Sequence, residues 1–185
     1  MHHPHGQIYA YPFVPPKVLT QLEQARKYAE EKGANLFDAI IAEEKKDGRR
    51  IVAENEAFVA YIPFFARYPY ETHITAKRFG VGNLAQMTGG EQIHLAEILK
   101  QILTAFDKIF DLSFPYIMSL MQTPSDGEDY DYFRFHIEFY PPLRTATKLK
   151  YLAGSEAGAG MFINDTLAEE KAAELRGHIE KVFWA

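Results

Sequence analysis

Hydrophobic positions along this chain fall at two periods, and the switches between them mark out the elements. The stretch 6–14, GQIYAYPFV, alternates as a half-buried strand does and runs into Pro15 and Pro16, which end it. The period then becomes helical. Val18, Leu22, Ala25 and Ala29 share a stripe within 18–31, and Gly33 supplies a stop. A second helix over 36–46 pairs Leu36 with Ile40 and Phe37 with Ile41, before a turn at Asp47-Gly48. Strand patterns follow at 49–55 (RRIVAEN), 57–64 (AFVAYIPF) and 71–77 (ETHITAK). A long helix over 91–110 places Leu95, Ile98, Leu99, Ile102, Phe106 and Ile109 on one broad apolar face. Two more strands are expected at 115–122 (PYIMSLMQ) and 132–140 (YFRFHIEFY), separated by a polar, acidic loop over 123–131. A last helix starts at Thr166, where TLAE fits a capping box with Glu169 reaching back.

Strands in pairs, with helices between and after them, predict an α+β fold: an antiparallel sheet with helices covering one face. At 185 residues the chain is long enough for one generous domain, or a domain with a docking segment. A net charge of −5 excludes a general nucleic-acid-binding surface. No apolar run approaches the ~18–20 residues that span a bilayer, and no signal-peptide pattern opens the chain, so the expected compartment is the cytoplasm. With no cysteine, disulfides and thiolate metal sites within the chain are excluded. The fourteen phenylalanines and eleven tyrosines fall mostly in the alternating runs and read as a large aromatic core.

Candidate chemistry sits at the start, in MHHPHGQIYAYPFVPP. On a strand, His3, His5 and Gln7 share one face while Pro4 and Gly6 lie on the other. Two imidazoles and an amide on one face suit chemistry at a phosphate: a neutral imidazole can attack phosphorus, and an amide can donate to a phosphate oxygen. The competing reading is the remnant of a histidine tag, which the interrupting Pro4 and Gly6 and the strand-like continuation disfavour.

HPHGQ followed by an aromatic-rich strand resembles the active-site signature of the galactose-1-phosphate uridylyltransferase family, in the histidine-triad superfamily. The block FRFHIEFYPPLRTATKLKYLAGSE (133–156) resembles the family's C-terminal segment, and FPY at 114–116 and PYET at 69–72 match as well. The likeness covers the second half of the family's usual sequence. It implies that residues 1–48 hold the catalytic strand and a helical connector, and that 49–185 form a C-terminal histidine-triad-like domain. It also implies a nucleotidyltransferase moving uridylyl from UDP-glucose to galactose 1-phosphate through a uridylyl-histidine. His5 would be the nucleophile and Gln7 the partner of the phosphate oxygens. His3 matches a histidine that ligates zinc in many members, whose other ligands belong to the absent upstream half. Lys150, Tyr151 and Glu156 match a segment that reaches a neighbouring subunit's active site and contacts the hexose phosphate, with Ser155 where some members have tyrosine. The implied partners are therefore an upstream half-enzyme polypeptide and a dimer mate, with no nucleic acid and no membrane.

Some members carry a second metal site. The corresponding stretches here offer Gln21 (with Glu23 nearby), Met121 and the HIE run 136–138, so His136 and Glu138 read as a paired polar face and not as metal ligands. They share that strand face with Arg134, opposite Phe135, Ile137 and Phe139. His73 reads as a satisfied structural residue, and His94 and His178 as helix-surface positions with no partner at useful spacing. Three functions stay open from the sequence: the C-terminal component of a split uridylyltransferase, an inactive fragment acting as a dimerising or sugar-phosphate-binding module, and a small histidine-triad hydrolase. The last is disfavoured by Gln7 standing where a third histidine is usual and by the KYLAGSE segment at 150–156.

Overall fold

The computed structural model of the chain describes residues 8–180. Helix α1 (Pro16–Lys32) opens with proline at its first position, where a missing N–H costs nothing, and closes on Gly33 at φ 62°. Helix α2 (Leu36–Asp47) is capped by Asn35, whose side-chain oxygen accepts from the Phe37 and Asp38 amides; it ends on Gly48 at φ 73°. Strands β1 (Ile51–Glu54), β2 (Phe58–Tyr61) and β3 (Thr72–Ala76) follow. Helix α3 (Gly89–Ile109) starts from a capping box in which Thr88 and Glu91 satisfy each other's backbone amides. Strands β4 (Ile117–Met121) and β5 (His136–Tyr140) complete a five-stranded antiparallel sheet of order β1-β2-β3-β5-β4. A small hairpin, β6 (Leu143–Thr145) with β7 (Lys148–Leu149), precedes the short helix α4 (Gly154–Ala159), and α5 (Ala168–Arg176) comes last.

The fold is α+β as expected, but helices lie on both faces of the sheet. One face is dry: Ile74, Ile137 and Phe139 of the sheet pack with Ile98, Ile102 and Phe106 of α3 and Ala172 and Leu175 of α5. Each fully buried Ile, Leu or Phe there contributes about 1.5–3 kcal/mol. On the other face, Ile41 of α2 packs on Val59 and Tyr61 of β2, while Leu22 and Ala25 of α1 join Phe37, Met121 and Phe133. Arg50 ties this arrangement together, donating to Glu44 of α2 at 2.7 Å and to Glu169 of α5 at 2.6 Å.

Three local expectations differ from the structure. Within the described part of 6–14 there is no strand, and Ile8, Tyr9, Tyr11 and Phe13 are exposed. Alternation marks a strand only where a neighbour supplies the ladder, and no strand of the described sheets pairs with this segment. The capping box at Thr166 does not form. Both the amide and the hydroxyl of Thr166 donate to Asn164 Oδ1, Glu169 is taken by Arg50, and α5 begins at Ala168 with no side-chain cap. His94 is not alone, since Glu97 one turn on lies 3.4 Å from its Nδ1 and Glu56 lies 3.3 Å from its Nε2; His178 falls in the turn beyond α5.

Candidate active site

The second face of the sheet carries a polar strip that strand register alone puts together. His73 on β3 pairs with Tyr61 on one side and Glu138 on the other, and Thr75 pairs with His136 in the next row. Alternation then sends these side chains to the face opposite Ile74, Ile137 and Phe139. His73, His136 and Glu138 are buried, and so is Arg134, which donates to Asp38 of α2 at 2.5 Å and to the Lys77 carbonyl.

Each buried ionisable group on the strip has partners. His73 Nε2 lies 3.1 Å from Glu71 Oε1, and the other oxygen of Glu71 accepts from the amides of Arg67 and Tyr68. His136 Nδ1 donates to the Arg134 carbonyl at 2.9 Å, so that nitrogen carries a proton. Its Nε2 faces Gln21 Nε2 at 3.4 Å and Glu138 Oε1 at 3.3 Å. Gln21 donates to Glu138 Oε1 at 2.7 Å, and Lys17 of α1 donates to Glu138 Oε2 and to the Tyr140 hydroxyl. Burial pushes the Glu138 carboxyl up, but the bond from His136 and the nearby charges of His73, His136 and Lys17 outweigh it and hold the group well below the usual carboxylate range. Burial raises the Tyr61 hydroxyl to about 12, so it stays protonated. Between this strip and helices α1 and α2 lies a cavity of about 850 Å³.

The second predicted region is the stretch from β6 to α4. Lys150 and Glu156 form an ion pair at 2.9 Å with both side chains nearly buried. Glu156 also accepts from the amides of Ala153 and Ile163, at 2.8 and 3.1 Å, and Lys150 donates to the Ile163 carbonyl. Those two amide bonds and the Lys150 charge lower the Glu156 carboxyl to about 2. Tyr151 is 83% exposed. The structure thus brings Lys150 and Glu156 together as a staple that shapes the loop and leaves Tyr151 in solvent. His3, His5 and Gln7 lie outside the described residues.

The implied metals find a poor donor set in this chain. Among the described residues no three or more His, Cys, Asp or Glu side chains gather around one point. At Gln21, His136 and Glu138 the position of a cation next to Glu138 is taken by the Lys17 ammonium, and Met121 is buried among Leu22, Phe37 and Phe133. A fixed ammonium repels a metal ion, so no step is routed through one here.

Residues 21–184 match the family model described as galactose-1-phosphate uridyl transferase, C-terminal domain. The chain belongs to that family. It is 42% identical over 175 residues to the galactose-1-phosphate uridylyltransferase of Thermotoga maritima, covering 94% of this chain and 54% of that protein. A solved uridylyltransferase structure superposes with a TM-score of 0.87 at 38% identity, covering 95% of this chain and 55% of the other. A histidine triad family protein from Mycobacterium smegmatis shares the fold alone, with a TM-score of 0.52 at 17% identity, covering 78% of this chain and 92% of that one. The chain therefore spans about half the length of the curated uridylyltransferases it matches. Uridylyltransferase membership and the histidine-triad-like fold agree with the motifs at 114–116 and 133–156. Sequence reading did not find the parts of the polar strip contributed by Lys17, Arg67 and Glu71. Glu71 stands two residues from His73 in ETH, the one local signal that a carboxylate serves that imidazole.

Proposed function

We propose that this chain supplies the C-terminal part of an enzyme transferring uridylyl from UDP-glucose to galactose 1-phosphate. The match to the family's C-terminal domain over 21–184 carries the reading, and HPHGQ at 3–7 supports the catalytic strand. An imidazole nitrogen of His5 attacks the α-phosphorus of UDP-glucose, the bond to the bridging oxygen breaks, and glucose 1-phosphate leaves. A phosphate oxygen of galactose 1-phosphate then attacks the same phosphorus and frees the imidazole. Gln7 donates to the non-bridging oxygens as charge shifts in both steps. Tyr151 is the exposed member of the hexose-phosphate segment, with Lys150 and Glu156 holding the loop that presents it to a dimer mate and opening toward the sugar phosphate when it binds. His3 matches the zinc-ligating histidine of many members, and the remaining ligands of such a site would come from the upstream half. An upstream polypeptide completes the site, in the cytoplasm.

The test is intact-mass spectrometry after incubation with UDP-glucose, with the chain alone and with the upstream polypeptide. A UMP adduct is expected in the reconstituted complex, mapping to His5 and absent from His5→Asn. A reconstituted complex that gains no adduct overturns the assignment of the nucleophile.

A further inference from the structure

Aspartate followed by glycine is a pair prone to rearrange, because glycine has no side chain to keep its amide nitrogen away from the neighbouring carboxyl. The chain has two such pairs, Asp47-Gly48 and Asp126-Gly127, and no Asn-Gly pair. The fold treats them differently.

At the end of α2 both reacting groups are committed. The Gly48 amide donates to the Glu44 carbonyl at 2.8 Å, which holds it in the helix cap. The Asp47 carboxylate receives Arg49 Nε at 2.6 Å, Arg49 Nη2 at 2.9 Å and Arg50 Nη1 at 3.2 Å. A carboxylate gripped by two guanidinium groups stays charged and fixed in place, and both properties oppose attack at its carbon.

Asp126 and Gly127 lie in the loop between β4 and β5, outside any helix or strand, and both are exposed. Among the described residues the Gly127 amide donates to nothing. Its φ of 91° is a conformation left to glycine, and a Cβ added there would meet no atom beyond its chain neighbours within 4 Å. The nitrogen therefore has room to turn toward the carboxyl. One restraint remains: Asp126 Oδ2 accepts from the Tyr130 hydroxyl at 2.7 Å, and Oδ1 from the Glu128 amide at 3.2 Å. Those bonds lower the carboxyl and hold it charged.

From this contrast we infer that Asp126-Gly127 is a site of spontaneous isoaspartate formation in the folded chain, slowed by the Tyr130 hydroxyl, and that Asp47-Gly48 is not. The Gly127 nitrogen bonds to Cγ of the protonated Asp126 carboxyl. Its proton and the carboxyl's hydroxyl leave as water, closing a succinimide. Water then adds to the ring. Attack at the side-chain carbonyl restores aspartate, whereas attack at the main-chain carbonyl leaves the chain running through the side chain, with the former main-chain carbonyl as a pendant carboxylate. Only water leaves and enters. The product lengthens the loop backbone by a methylene and moves the charge that Tyr130 and Glu128 hold. This modification is separate from the transfer chemistry proposed at His5 and stands whether or not that reading does.

The full chain, aged at mildly acidic pH and mapped by electron-transfer mass spectrometry, which separates isoaspartate from aspartate, should accumulate isoaspartate at 126 and not at 47. In guanidinium chloride the same chain should convert at both pairs, so that the fold makes the difference. Asp126→Glu, whose longer side chain closes a ring poorly, should remove the signal at 126. Tyr130→Phe keeps the ring and drops the hydroxyl. It should speed conversion about fivefold, below the roughly tenfold of a full charge-assisted bond because the pair is exposed. Isoaspartate at both pairs alike in the folded chain, or at neither while the unfolded chain converts, overturns the site. An unchanged rate in Tyr130→Phe overturns the restraint assigned to its hydroxyl.

Discussion

Glu156 shows how one carboxylate can hold a loop that has almost no core. Its two oxygens gather the Ala153 and Ile163 amides and the Lys150 ammonium, so both ends of α4 close on one side chain. The carboxyl is lowered from 4.5 to about 2, which means that the folded loop favours the charged form. The sign follows from linkage: the contribution is complete above the unfolded value of 4.5 and is lost as pH falls through about 2. The Ala153 and Ile163 amide proton shifts should therefore titrate together with a midpoint near 2. A midpoint at 4.5 would mean that these bonds do not hold in solution.

At the scale of elements, Asn35 joins α2 to the strand system. Its Oδ1 caps the helix and its Nδ2 donates to the Tyr132 carbonyl at 3.0 Å. Asn35→Ala removes both bonds and should cost about 1–2 kcal/mol in urea unfolding. Asn35→Asp keeps the cap, sets a carboxylate against a carbonyl, and should fall between wild type and alanine. Equal losses for the two would show that the cap contributes nothing. Elements of this kind were readable in advance. The α3 stripe records one face packed on a core, and the apolar run of β2 and the alternation of β3 and β5 record strands buried on both faces. The β6–β7 hairpin and α4 were not, because strands of three and two residues and a helix of six are too short to show a period. The site divides in the same way. Spacing put His136 and Glu138 on one face, whereas Lys17 stands 121 residues from Glu138 and only the packing of α1 brings them together.

For the whole molecule, the sheet separates two kinds of interior: a dry face against α3 and α5, and a face against α1 and α2 that keeps ionised groups beside a cavity. Docking of α1 then depends on charge as well as on Leu22 and Ala25, because Lys17 is the cation that Glu138 meets from that helix. Lys17→Met removes the ammonium and leaves Glu138, 1% exposed, with only Gln21 and His136. Breaking a fully buried pair costs about 3–5 kcal/mol, but the Lys17 side chain is 36% exposed and solvent screens part of that, so about 1–2 kcal/mol is expected at pH 7. In the wild type the lowered Glu138 carboxyl stabilises the fold above the usual carboxylate range and loses that contribution as pH falls below it. In the variant the lowering is smaller, so the two proteins should converge in stability as the pH drops and the carboxyl becomes protonated in both. Urea unfolding from pH 7 down into the acidic range where the lowered Glu138 carboxyl itself takes up its proton, well below the usual carboxylate range, reads this directly. A difference that stays constant across the series would assign the loss to packing of the lysine stem, and the charge on Lys17 would then have no part in seating α1 on the sheet.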